Sequence, residues 1–242
     1  WAKLIPLQGV AQHRDNLMQI EAVFLGQAGL LDIAAIPERY QQQALNDSYF
    51  TELKSEYQYL AHKFGLQAMD ANQWRFLRLR PQNFPHIRIA QLAHLYYEQR
   101  AGLSQLLECE SVKQVRELLA TQVTRYWETH YVFGEKSVKS EKKLSAASLN
   151  LQIINTVAPI LFAYGKHKNS EKYCERAFDF LETLKAEENH IVRMWKEVGL
   201  MVETAGDSQA LIQLKKEYCD RKDCLRCRIG YEYLKGSSSL KG

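Results

Sequence analysis

Two stretches of this chain have the residue types and spacing to do chemistry. The first is W-R-F-L-R-L-R-P-Q-N-F-P-H-I-R, from Trp74 to Arg88, with four arginines and two prolines in fifteen residues. The second is Cys219-x4-Cys224-x2-Cys227, set in the basic run YCDRKDCLRCRIG. Guanidinium groups recognise phosphate through paired N–H donors, and closely spaced thiolates recognise soft metal ions.

In the first stretch, Pro81 pushes Arg80 toward an extended backbone. Asn83 is expected to cap a helix that opens at Phe84 and carries Pro85 in its first turn. His86 and Arg88 then lie beside the free amides of a helix N-terminus. Positive charge there opposes the helix dipole at a cost of roughly 0.3–1 kcal/mol per charge, so a bound anion is the expected compensation. The expected contacts are Arg75, Arg78, Arg80, Asn83, His86 and Arg88, holding a phosphate or a nucleic-acid backbone. The competing reading pairs these arginines with carboxylates of neighbouring helices and lays their stems on Trp74, Phe76 and Phe84.

In the second stretch, Cys219, Cys224 and Cys227 could face one zinc ion or an iron–sulfur cluster, with a fourth ligand from Cys109, Cys174 or a histidine. Arg221, Lys222, Arg226 and Arg228 would favour the thiolates. The competing reading is three reduced cysteines, with Cys219 and Cys227 buried as small apolar groups; the lone Cys109 and Cys174 read as small core residues. A metal here would be structural rather than catalytic.

Glu187-x-x-His190 has the spacing of a di-iron helix, but no second such pair exists, so it reads as a helix start near Asn189. His13, Arg14 and Asp15 read as a charged helix start. There is no nucleophile elbow, Walker loop, zinc-protease motif or dinucleotide glycine motif, and no catalytic constellation. The aromatic group Tyr96, Tyr97, Tyr126, Trp127, Tyr131 and Phe133 is expected in the core rather than stacked on bases.

The elements that must position these residues are helical. Apolar spacing predicts helices over Val10–Leu25, Asp47–Phe64, Pro85–Gly102, Leu149–Tyr164, Ser170–Leu184, Asn189–Val198 and Asp207–Tyr218, with another opening at Ser111. Pro159 should kink the helix that contains it. That helix, apolar nearly all round, is expected at the centre of an irregular bundle, short of a bilayer span. The lysine-rich 134–143 reads as a loop and marks the one internal boundary in an otherwise single all-α domain covering 1–242.

Composition fits this picture. Across 242 residues, 46% are apolar and 25% charged, and the net charge is +4. Those values fit a folded domain that tolerates, without demanding, an anionic partner. Five cysteines without regular spacing point to a reduced, cytoplasmic setting with no membrane partner. The Trp-Ala start reads as part of a longer protein.

Four segments together resemble an uncharacterised bacterial family known only as a domain of unknown function. They are G-Q-A-G-L-L (Gly26 to Leu31), the arginine stretch extended to Ala93, I-I-N-T-V-A-P-I-L-F-A-Y-G (Ile153 to Gly165), and D-S-Q-A-L-I-Q-L-K-K-E-Y-C with C-L-R-C-R-I-G (Asp207 to Gly230). The resemblance implies a helical C-terminal part of a longer protein whose N-terminal domain is nuclease-like. The cysteine group also resembles the end of iron–sulfur DNA glycosylases, although Tyr233 stands where their last cysteine would fall. The function expected is a nucleic-acid- or phosphate-binding module of a larger nuclease-like protein. The alternative is a structural or protein-interaction domain with internally paired arginines.

Overall fold

The computed structural model describes residues 15–98 and 102–238, and side-chain placement ends at Lys235. His13 and Arg14 lie outside the described residues. The described chain is all-α in class, and its one sheet among those residues is the hairpin of β1 (His130–Val132) and β2 (Glu135–Lys136). It divides into two compact units, 1–108 with 116–146, and 109–115 with 147–242.

Unit 1 is built around α1 (Leu17–Gln27), whose residues from Ile20 to Gln27 are all buried. Asn16 caps it by accepting from the Gln19 amide at 3.2 Å. Helix α1 packs between α3 (Ser48–Phe64) and α4 (Pro85–Tyr97), with α2 (Glu38–Leu45) beside α3. Gly26 allows the close approach, because a Cβ there would lie 2.0 Å from the Tyr57 ring. Phe24, Phe50, Leu53, Leu60, Ile87, Trp127 and Phe133 fill the core. Asp47 caps α3 through the Tyr49 amide at 2.9 Å, and left-handed Gly65 (φ 62°) ends it. Helices α5 (Leu103–Glu108), α6 (Val112–Leu119) and α7 (Arg125–Glu128) follow.

The lysine-rich 134–143 is tied into unit 1. Its hairpin turns at Gly134, and the Ser137 and Ser140 amides bond to the carbonyls of Thr129 and Glu128 at 2.7 and 2.9 Å. Lys142 is buried, its ammonium donating to the Trp127 carbonyl and lying 4.0 Å from the Tyr131 ring centre. A lysine stem buried this way is invisible to a reading that counts polar residues.

The longer segment of unit 2 is led by α8 (Ala146–Lys168), which contains a π-helical turn at Ile153–Val157. The turn lies just before Pro159, whose missing amide and ring exclude an ordinary bond to the Asn155 carbonyl. Helix α8 has only an inner stripe buried, from Leu149 to Gly165, while Leu151, Ile160 and Phe162 are exposed. The helix buried nearly all round is therefore α1, not this one. At 23 residues, with a mean hydropathy of 1.4 in its best window, α8 does meet the length and composition of a bilayer span, contrary to expectation.

Helix α8 turns at left-handed Asn169 (φ 50°) into α9 (Glu171–Thr183). Cys174 and Cys109 are both buried, as their reading as core residues requires. The Cys109 carbonyl accepts from buried Arg176 at 3.1 Å. Helix α10 (His190–Glu197) starts at Asn189, which accepts from the Val192 amide. A Thr204–Asp207 capping box opens α11 (Ala205–Leu214), which runs on as a π turn to Cys219. Helix α12 (Arg228–Ser238) closes the described chain.

Candidate anion-binding site

The arginine stretch is a clamped loop that leads into α4. Upstream, the Met69 amide bonds to the Gln27 carbonyl at 2.8 Å, and the Trp74 indole bonds to the Ala28 carbonyl at 2.8 Å. Downstream, Phe76 packs edge-on against Phe84 at 5.3 Å and lies 5.8 Å from His86. The apolar residues of R-F-L-R-L-R thus divide, Phe76 turning inward while Leu77 stays 85% exposed.

Between these anchors the chain forms a reverse turn, closed by the Leu79 amide on the Phe76 carbonyl at 3.1 Å. Arg78 occupies its third position with φ 65°, a left-handed conformation that a side chain disfavours by roughly 1–2 kcal/mol. Arg75, Arg78 and Arg80 are all exposed. Arg80 is extended before Pro81, and Pro81–Asn83 form one 3-10 turn.

Two placements differ from expectation. Helix α4 begins at Pro85 with Phe84 at its N-cap and no side-chain cap, because Asn83 is occupied elsewhere. Its Oδ1 accepts from Nη2 of Arg88 at 2.6 Å. His86 is 5% exposed, enclosed by Phe76, Trp127 and Phe133, and burial pushes its pKa down to about 3. A neutral imidazole in the core is a packing group, so His86 leaves the set of anion contacts.

Arg88 is half-buried, and its second donor reaches Oε1 of Gln91 at 2.9 Å. Gln91 is itself fixed by its Nε2 donating to the Lys142 carbonyl at 2.6 Å. Burial lowers the pKa of the guanidinium. Its hydrogen-bond partners are neutral amides. Among the described residues, none of Arg75, Arg78, Arg80 and Arg88 forms an ion pair with a carboxylate.

The cysteine group is arranged differently. Cys219 and Cys224 face solvent, so of the two cysteines expected to be buried as small apolar groups only Cys227 is. Among the described residues, no group of three or more histidine, cysteine, aspartate or glutamate side chains is placed to hold a metal ion. Arg221, Arg226 and Arg228 engage Glu217, Asp223 and Glu232 at 2.7, 3.5 and 3.0 Å. Glu187 takes a hydrogen bond from Gln209.

Among the buried polar groups that sequence reasoning missed, Glu21 lies deepest in unit 1. Glu21 is 1% exposed within α1, where it accepts from the Tyr49 hydroxyl and lies 3.5 Å from the Thr124 hydroxyl. Burial raises its pKa to about 7 against the opposing hydrogen bonds. Its place one residue after Ile20 and three before Phe24 puts it on the apolar stripe, which is the signal that could have found it.

No curated protein and no solved structure matches the chain. The sequence pattern of one family, described as a protein of unknown function and designated DUF2851, matches residues 1–190, a span that includes all of the arginine stretch, and the chain belongs to that family.

Proposed function

We propose that the loop from Arg75 to Arg88 is a phosphate-binding corner through which this protein holds a nucleic-acid backbone. The observation that carries the reading is the set of four arginines without a carboxylate partner among the described residues. Arg75, Arg78 and Arg80 stand in solvent, and Arg88 is half-buried between two amide oxygens. A cation moved partly out of water without a counter-charge gains from an incoming anion. The arginines sit on a loop clamped at Trp74 and Phe84, so little conformational entropy is lost on binding. In a longer protein, this corner would present the backbone to the nuclease-like portion that the family resemblance implies.

The test is the salt dependence of affinity for a labelled duplex oligonucleotide. Four phosphate contacts give a slope of log K against log salt of about −3.6, so affinity falls about 150-fold between 50 and 200 mM. Arg78→Ala with Arg80→Ala should cut that fall to about 12-fold while the circular-dichroism spectrum stays helical. Absence of binding at 50 mM salt, or an unchanged slope in the folded double variant, would overturn the reading.

A further inference from the structure

Two of the C-terminal thiols share one turn and differ in exposure. Cys224 faces solvent, whereas Cys227 is 7% exposed and sits one residue before α12. The Cys227 amide bonds to the Cys224 carbonyl at 3.3 Å, so the two cysteines are the first and last residues of the reverse turn Cys224-Leu225-Arg226-Cys227. The ends of such a turn have Cα atoms less than about 7 Å apart, and a disulfide spans about 4.4–6.8 Å between Cα atoms. The backbone of the reduced chain is therefore already closed enough to be bridged.

The turn is also held in place. The Cys227 amide reaches the Asp223 carbonyl as well, at 3.2 Å, and the Tyr231 amide bonds to the Cys227 carbonyl at 2.8 Å. Gly230 packs so closely on the turn that a Cβ there would lie 2.5 Å from the Cys224 carbonyl oxygen. Among the described residues, no third histidine, cysteine, aspartate or glutamate joins these two thiols in a group placed to hold a metal. The chemistry that an exposed thiol and a buried one can share across four residues is thiol–disulfide exchange.

We propose that Cys224 and Cys227 form a redox-active dithiol that closes to a disulfide by exchange with low-molecular-weight disulfides of the glutathione type. Exposure assigns the order, because attack on a disulfide arriving from solvent needs an accessible sulfur. The Cys224 thiolate attacks one sulfur of the incoming disulfide, forming a mixed disulfide and releasing one thiolate, which takes up a proton. Cys227 loses its proton to water and attacks the Cys224 sulfur, expelling the second thiolate. Two electrons pass from the cysteine pair to the small disulfide, which leaves as two thiols. A four-residue loop gains little chain entropy from the bridge, so an excess of thiol reopens it.

The test is incubation of the full chain with oxidised glutathione, followed by acid quenching, alkylation and peptide mass mapping. Both wild type and Cys219→Ser, which removes the other exposed thiol and leaves buried Cys227 untouched, should acquire a Cys224–Cys227 bridge that carries no glutathione and is reversed by dithiothreitol. Cys227→Ser should stop at one glutathione on Cys224. Cys224→Ser should take up glutathione at Cys227 at least about tenfold more slowly, as expected of a buried thiol. Absence of the bridge, glutathione that persists on Cys224 while Cys227 is present, or a wild-type bridge from Cys219 to Cys224 would overturn the proposal. So would stoichiometric zinc or iron held by the three thiols of the purified chain.

Discussion

The guanidinium of Arg88 and the side-chain oxygen of Asn83 lie 2.6 Å apart, a charged donor on a neutral acceptor. An aspartate at that position would have the same shape and would supply the missing counter-charge. Asn83→Asp should therefore raise stability by roughly 1 kcal/mol, as a partly buried charge-assisted pair does, while lowering oligonucleotide affinity several-fold. Denaturant midpoint and binding isotherm together check this. Equal affinity with higher stability would show that Arg88 is only a structural tie.

Arg78 separates charge from backbone. Its left-handed φ of 65° favours glycine, whereas its exposure assigns its side chain no packing role. Arg78→Gly should leave stability unchanged or raise it by up to about 1 kcal/mol, and should remove about one unit of salt slope. Arg78→Ala removes the same charge but keeps the strained backbone, so it should match the slope without the gain in stability. Thermal unfolding and salt titration of both variants give the comparison.

The sequence made the longer helices legible where apolar spacing and punctuation coincide, whereas the short α2, α5 and α7 and the terminal α12 were not read from it. Asp47 and Gly65 bound α3, Asn189 opens α10, and the apolar spacing from Phe50 to Phe64 shows which face of α3 turns inward. The arginine loop was legible as a special segment, and the prolines correctly marked its extended entry and the first turn of α4. What stayed hidden depends on partners distant in sequence. Asn83 is a good cap by type, yet Arg88 takes its oxygen. His86 reads as a surface group beside arginines until Trp127 and Phe133, more than forty residues away, close over it. Lys142 reads as part of a linker until its ammonium is seen over the Tyr131 ring. For Cys219, Cys224 and Cys227, spacing states only that the thiols could meet, whereas the fold leaves two of them in solvent and buries the third.

Two buried groups in unit 1 set opposing pH dependences. Glu21 has a folded pKa of about 7 against 4.5 when free, so the folded state keeps its proton longer than the unfolded state does. Its contribution is full below pH 4.5 and is lost progressively up to pH 7, by about 3 kcal/mol in all at roughly 1.4 kcal/mol per unit. His86 runs the other way. Its folded pKa of about 3 lies below the ordinary 6.5, so its contribution is full above pH 6.5 and is lost as acid protonates the unfolded chain. The two losses balance between pH 5 and 6, where unit 1 should be most stable as far as these groups decide it. Glu21→Gln keeps an acceptor for the Tyr49 hydroxyl and removes the titration. Its stability relative to wild type should therefore climb by about 3 kcal/mol between pH 4.5 and 7 and then level off. Urea unfolding at half-unit pH steps, followed by the fluorescence of Trp127 and its neighbours, gives that curve. A flat difference between variant and wild type would mean that Glu21 ionises as freely in the core as in water.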